Sequence, residues 1–169
     1  SWSEVDAWYR AKVVAWWRSD PKAAAALFAR KLHWTLTARG YDNVQLVCSE
    51  IDGAPARKAV APGADLVTCS RVLHHSPLPR ETLRALGELA GPGGRLVLLD
   101  YLPHDDERLQ HQQADVWMGF APEELQAFAR DAGLVEISTR RVPMQWLGHG
   151  PDHHLAWQVL TARRAEARP

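Results

Sequence analysis

Residues 64–101 read ADLVTCSRVLHHSPLPRETLRALGELAGPGGRLVLLDY, and this stretch decides the fold. Its two ends, Ala64–Cys69 and Arg95–Tyr101, are apolar runs too short for a helix and rich in Val and Leu, as buried parallel strands are. Between them Leu83, Leu86 and Leu89 recur at three-residue steps, which predicts a helix from about Arg80 to Ala90, stopped by Gly91-Pro92-Gly93-Gly94. Strand, helix and strand in this order are the unit of an α/β sheet protein.

Working outward, Val44–Cys48 is a further apolar run, and His104 to Gly133 is a longer connection carrying a helix that starts near Pro122. That helix turns Leu125, Phe128, Ala129 and Ala132 inward, and Gly133 ends it. Val135–Val142 and Leu155–Ala162 alternate apolar and polar residues, the pattern of peripheral antiparallel strands. The segment between them, Pro143 to His154, is long and polar enough to carry a function. At the other end, Val5, Trp8, Tyr9, Val13, Trp16 and Trp17 predict a helix over 3–18. Asp20-Pro21 then opens a second helix that closes at Gly40. The expected organisation is a Trp-rich helical segment over 1–40 and an α/β core over 41–169, compact together.

Composition narrows the function. The chain has 169 residues, with 20 Lys+Arg against 20 Asp+Glu, so it shows no basic footprint for nucleic acid. No apolar run reaches the roughly 18–20 residues of a membrane span, and no signal-like start is present, which predicts a soluble, cytoplasmic protein without nucleic-acid or membrane partners. Cys48 and Cys69 sit in apolar stretches without CxxC spacing and are expected to be buried free thiols. Of eight Trp, Trp2, Trp8, Trp16 and Trp17 fall in the first 17 residues, which makes that end a packed helix or an association surface.

Two motifs carry a family resemblance. Ala64-Asp65-Leu66-Val67-Thr68-Cys69-Ser70-Arg71-Val72-Leu73-His74-His75 resembles the fourth strand and following loop of class I S-adenosylmethionine (SAM) dependent methyltransferases. Leu89-Ala90-Gly91-Pro92-Gly93-Gly94-Arg95-Leu96 resembles that family's approach to its fifth strand. Pro103-His104-Asp105-Asp106 and Asp115-Val116-Trp117-Met118-Gly119-Phe120 are similar to a small-molecule subgroup. The resemblance implies a Rossmann-like, mostly parallel sheet of about five strands, helices on both faces, an antiparallel last strand and two added N-terminal helices. It implies SAM as cofactor and a small-molecule acceptor.

In open parallel sheets ligands bind beyond the carboxyl ends of the strands. The resemblance therefore places Glu50, Ile51, Ser70 and Arg71 at the cofactor and Asp100, Tyr101, His104 and Trp117 at the acceptor. His74 and His75 become the candidate catalytic bases, because imidazole exchanges protons near working pH.

The family's glycine-rich first loop and the acidic residue that holds the ribose are not found before Val44, while Gly91 to Gly94 lies at the opposite end of the sheet and reads as a turn. Without the ribose contact SAM would bind about 10²–10⁴-fold more weakly. Three accounts of the gap stand side by side: a degenerate methyltransferase serving as a dimeric, regulatory or ligand-binding module; a longer protein of which this is part; or strands supplied by another chain. A homodimer through the Trp-rich helices or an open sheet edge follows from the last idea. A metal-dependent site of His74, His75, His104, Asp105, Asp106 and His111 is a further alternative. No HExxH or CxxC spacing supports it, so the sequence assigns no metal ligand.

Overall fold

The computed structural model describes residues 51–146 and 152–166. The chain divides into two units, Ser1–Cys48 and Ser49–Pro169, and the expected helices over 3–18 and 21–39, the strand Val44–Cys48, Cys48 and Glu50 lie outside the described residues. In the second unit the elements are α1 (Ala54–Ala59), β1 (Ala64–Ser70), α2 (Pro79–Leu89), β2 (Ala90–Tyr101), α3 (Glu107–Gln113), α4 (Pro122–Asp131), β3 (Leu134–Arg141) and β4 (Trp157–Arg164).

Among the described residues the sheet has four strands in the order β1-β2-β4-β3. β1 pairs parallel to β2, and β4 runs antiparallel between β2 and β3. Three strands therefore share one direction and the last in sequence opposes them, as expected for this α/β class. Pro79 and Pro122 each stand in the first turn of their helix, where the missing N–H costs nothing. The apolar stripes of α2 and α4 place Leu83, Leu86, Leu125 and Phe128 against Val67, Leu96, Leu98 and Leu160 of the sheet in one core. Each such side chain contributes about 1.5–3 kcal/mol by leaving water. A smaller cluster of Tyr101, Leu109, Leu155 and Trp157 lies beyond it, with Leu99 packed alongside. Period two along β2 explains the split, since Leu96 and Leu98 face one core and Leu99 and Tyr101 the other.

Three details differ from the sequence expectation. Gly91 to Gly94 belong to β2 instead of forming a turn before it, and the pairing with β1 slips between Ala64↔Ala90 and Leu66↔Arg95. The reason is close approach: a side chain on Gly63 would collide with the backbone of Gly91. α3 is a helix that periodicity does not reveal, because Leu109 is its one buried residue and the Asp106 cap starts it. Asp106 Oδ1 accepts from the Leu109 amide at 2.9 Å. Third, β3 bulges between Val135 and Ser138, where Glu136 takes a φ of 52°.

Candidate functional site

The carboxyl ends of β1 and β2 open into two segments that are sewn together. After β1, Arg71 adopts a φ of 61° and the chain turns through a short 3-10 helix, Leu73–His75, before α2. After β2, residues 102–106 lead into α3, and Ala114 with φ 58° reverses the chain so that Asp115 comes back over the strand ends. The amides of Val116 and Trp117 both donate to the His74 carbonyl, at 2.9 and 3.0 Å. Trp117 Nε1 donates to the Ser76 carbonyl at 2.8 Å, and Gln158 Nε2 donates to the carbonyls of Phe120 and Tyr101 at 2.6 and 3.2 Å.

Asp100, on the last turn of the β2 pleat toward the main core, is fully buried. It accepts from the amides of Leu73, His74 and Tyr101 and from His74 Nδ1, the last at 2.7 Å. Its two oxygens are thereby occupied, so Asp100, expected at the acceptor, instead holds the 73–75 turn and orients the His74 ring. Because Nδ1 is the donor to Asp100, Nε2 is the free nitrogen of that ring. It lies 3.7 Å from Asp115 Oδ1. His75 Nδ1 lies 3.2 Å from the same oxygen, and this ring, with a side chain 42% exposed, is the member of the group that faces solvent.

Asp115 is the residue that sequence reasoning passed over. Its side chain is buried, yet neither carboxylate oxygen has a hydrogen-bond partner. Burial pushes its carboxyl above the ordinary range, against the pull of His74, His75 and His104. An acid directly after a short polar helix is a weak signal by itself, and only the pairing of 116–117 with His74 reveals its place. His104 receives the Asp106 amide on Nδ1 at 3.3 Å and keeps a buried, unpartnered Nε2. Burial holds its imidazole below the usual histidine range.

Tyr101, also expected at the acceptor, is likewise buried and serves as a spacer. Its ring centroid lies 4.5 Å from that of His74 and 4.3 Å from that of Trp157, and its hydroxyl donates to Asp152 Oδ2 at 2.9 Å. Arg71 pairs with Asp152 and stacks over the Trp157 ring at 5.1 Å. Burial and the Asp152 hydrogen bond both raise the Tyr101 hydroxyl far above its ordinary value. Asp152 is thus the part of the long polar segment that works here, pinning it to the strand ends. Trp117 is exposed, its indole tied to the Ser76 carbonyl. Asp105 and His111 do not join the group, and Asp106 instead meets His154 Nε2 at 2.9 Å. Cys69 is a free, buried thiol whose burial raises it to about 11, as expected of a core residue.

Of the residues expected at the cofactor, Ile51, Ser70 and Arg71 lie among the described ones. The Leu73 and His74 amides are used by Asp100 and the Arg71 guanidinium by Asp152, so this loop offers the exposed Ser70 and Val72 side chains. Ile51 packs half-buried at the edge of the core.

The chain resembles several solved structures at 18% identity, a level that speaks for the fold. The CurJ carbon methyltransferase aligns over 83% of this chain and 40% of its own, with a TM-score of 0.62. For the [4+2]-cyclase SpnF the shares are 86% and 65% and the TM-score 0.59. For an O-methyltransferase family protein from Burkholderia thailandensis they are 81% and 41%, with 0.55. The chain therefore spans between two fifths and two thirds of the length of these proteins. No curated protein matches it by sequence. The family described as "Methyltransferase domain" matches residues 47–140, more than half of the chain and the span that holds β1, β2 and every residue of the His74, His75 and Asp115 group. With that match over more than half of its length, the chain belongs to the methyltransferase-domain family.

Proposed function

We propose that this chain takes part in SAM-dependent methyl transfer to a small-molecule acceptor and that the acceptor's nucleophilic atom is seated against His75 and Asp115. The observation that carries the reading is the buried, partly unsatisfied polar group at the carboxyl ends of β1 and β2, where an open α/β sheet binds its ligands. SAM, when bound, supplies an electrophilic methyl group. Methyl transfer then depends chiefly on alignment of the acceptor.

The chain's own residues divide that work. Asp100 fixes the turn and the His74 ring, Tyr101 and Trp157 wall the far side, and His75 is the ring that solvent and an acceptor can reach. Ile51, Ser70 and Arg71, with Glu50, are the positions assigned to flank the cofactor. Trp117 and His104 flank the acceptor.

The test is transfer of labelled methyl from SAM to a panel of small hydroxyl and amine compounds by the intact chain. Label in at least one acceptor, reduced at least about tenfold in His75→Ala, is expected. A folded chain that labels nothing favours the rival reading, a methyltransferase fold used as a ligand-binding module.

A further inference from the structure

His74, His75 and Asp115 present one ligand atom each, and these atoms lie within 4.8 Å of one another. Three features separate this group from an ordinary buried polar network. First, its members do not satisfy one another: both Asp115 oxygens lack a hydrogen-bond partner although His75 Nδ1 is 3.2 Å away and His74 Nε2 3.7 Å away. A buried carboxylate left so is costly. Second, His74 has the arrangement of a ligating imidazole, its Nδ1 donating to the Asp100 carboxylate at 2.7 Å and its Nε2 lone pair directed away from that partner. A carboxylate behind a ligating histidine fixes the tautomer and raises the donor strength of the other nitrogen. Third, two of the three ligand-atom separations, those to Asp115 Oδ1 at 3.2 and 3.7 Å, bracket the edge of about 3.3–3.5 Å that ligand atoms span in a tetrahedron with bonds of about 2.0–2.1 Å.

We propose that His74 Nε2, His75 Nδ1 and Asp115 bind a divalent first-row transition ion of the zinc type, leaving a coordination position open beside the exposed face of His75. Two imidazole nitrogens and one carboxylate oxygen suit such an ion better than Mg²⁺ or Ca²⁺, which take oxygen ligands. The paired amides of Val116 and Trp117 on the His74 carbonyl hold Asp115 and His74 in place, so the two inner ligands are set before the ion arrives. His75 completes the set from the solvent side. The site goes beyond the methyl-transfer reading and does not require it. Where both hold, an acceptor hydroxyl would meet the ion at the open position and lose its proton more readily.

The test uses the full chain stripped with a chelator, without SAM, so that its outcome is independent of methyl transfer. Equilibrium dialysis against Zn²⁺ and the visible absorption of added Co²⁺ are measured, with circular dichroism to confirm the fold. One equivalent of metal is expected, with affinity lowered at least about tenfold in both His75→Ala and Asp115→Asn and unchanged in His154→Ala. Because the His75 ring is partly exposed, its removal tests the site without disturbing the buried His74 and Asp100 pair. No saturable uptake by the folded chain up to millimolar metal overturns the proposal. So does uptake that survives in His75→Ala, or that His154→Ala abolishes, since either result places the metal elsewhere.

Discussion

His74 Nδ1 stands 2.7 Å from Asp100 Oδ1, and the pair is buried where the crossover leaves β1 and β2 ends. The same carboxylate holds the amides of Leu73, His74 and Tyr101, so one side chain sets both the backbone of the turn and the ring that projects from it.

Asp100→Asn tests that double role. The amide keeps the shape but turns an N–H₂ toward one set of donors, which is expected to cost about 2–4 kcal/mol in denaturant unfolding. Where the amide faces His74, the ring takes the opposite tautomer and Nε2 carries hydrogen. Metal affinity then falls by about 10–100-fold, while the exposed His75 stays where it is. Unchanged stability and unchanged affinity together would show that Asp100 sets neither the turn nor the ring.

Asp115→Asn is expected to act in the opposite direction on stability. A buried carboxylate without partners destabilises the metal-free chain, and the neutral amide relieves this by about 1–2 kcal/mol, with its N–H₂ near His74 Nε2. The pH dependence follows from the raised carboxyl of Asp115. The native state holds a proton that the unfolded chain gives up near 3.8, so this group's contribution falls as pH rises from there through the folded value. In the asparagine variant that slope is absent. Thermal unfolding in chelator from pH 4 to 8 measures both effects, and a variant less stable than the parent across this range contradicts them.

Gly119→Ala tests the placement of the loop that carries Asp115. Gly119 has a φ of 80°, and a Cβ there would strike the Leu102 carbonyl. The expected cost is at least about 2 kcal/mol, or a Tm lower by roughly 4–8 °C, since backbone must move on both sides. An unchanged Tm would show that the loop rests differently.

Much of this architecture was legible in the residues. Val- and Leu-rich runs gave β1 and β2, proline gave the starts of α2 and α4, and the family motifs placed His74 and His75 at the strand ends. Asp115 and Asp152 were not legible as site residues, because each acts through a partner far along the chain: Asp115 with His74 and His75, Asp152 with Arg71 and Tyr101. The roles of Asp100 and Tyr101 changed for the same reason. Sequence places them after a strand, where ligands bind, but the pleat turns Asp100 under the crossover and the Asp152 hydrogen bond holds Tyr101 inward. α3 escaped because a helix with one buried leucine leaves no periodicity to read. No helix among the described residues is long and apolar enough to cross a membrane.

On the proposed function, this chain binds the methyl-transfer cofactor beside the His75 and Asp115 group. Calorimetric titration of the intact chain with S-adenosylhomocysteine, the demethylated product, tests it most directly. Saturable binding of one equivalent is expected, with Kd tighter than about 1 mM, that is, more than about 4 kcal/mol of binding free energy. Absence of heat for both this compound and SAM at millimolar concentration, with the chain folded, would contradict it.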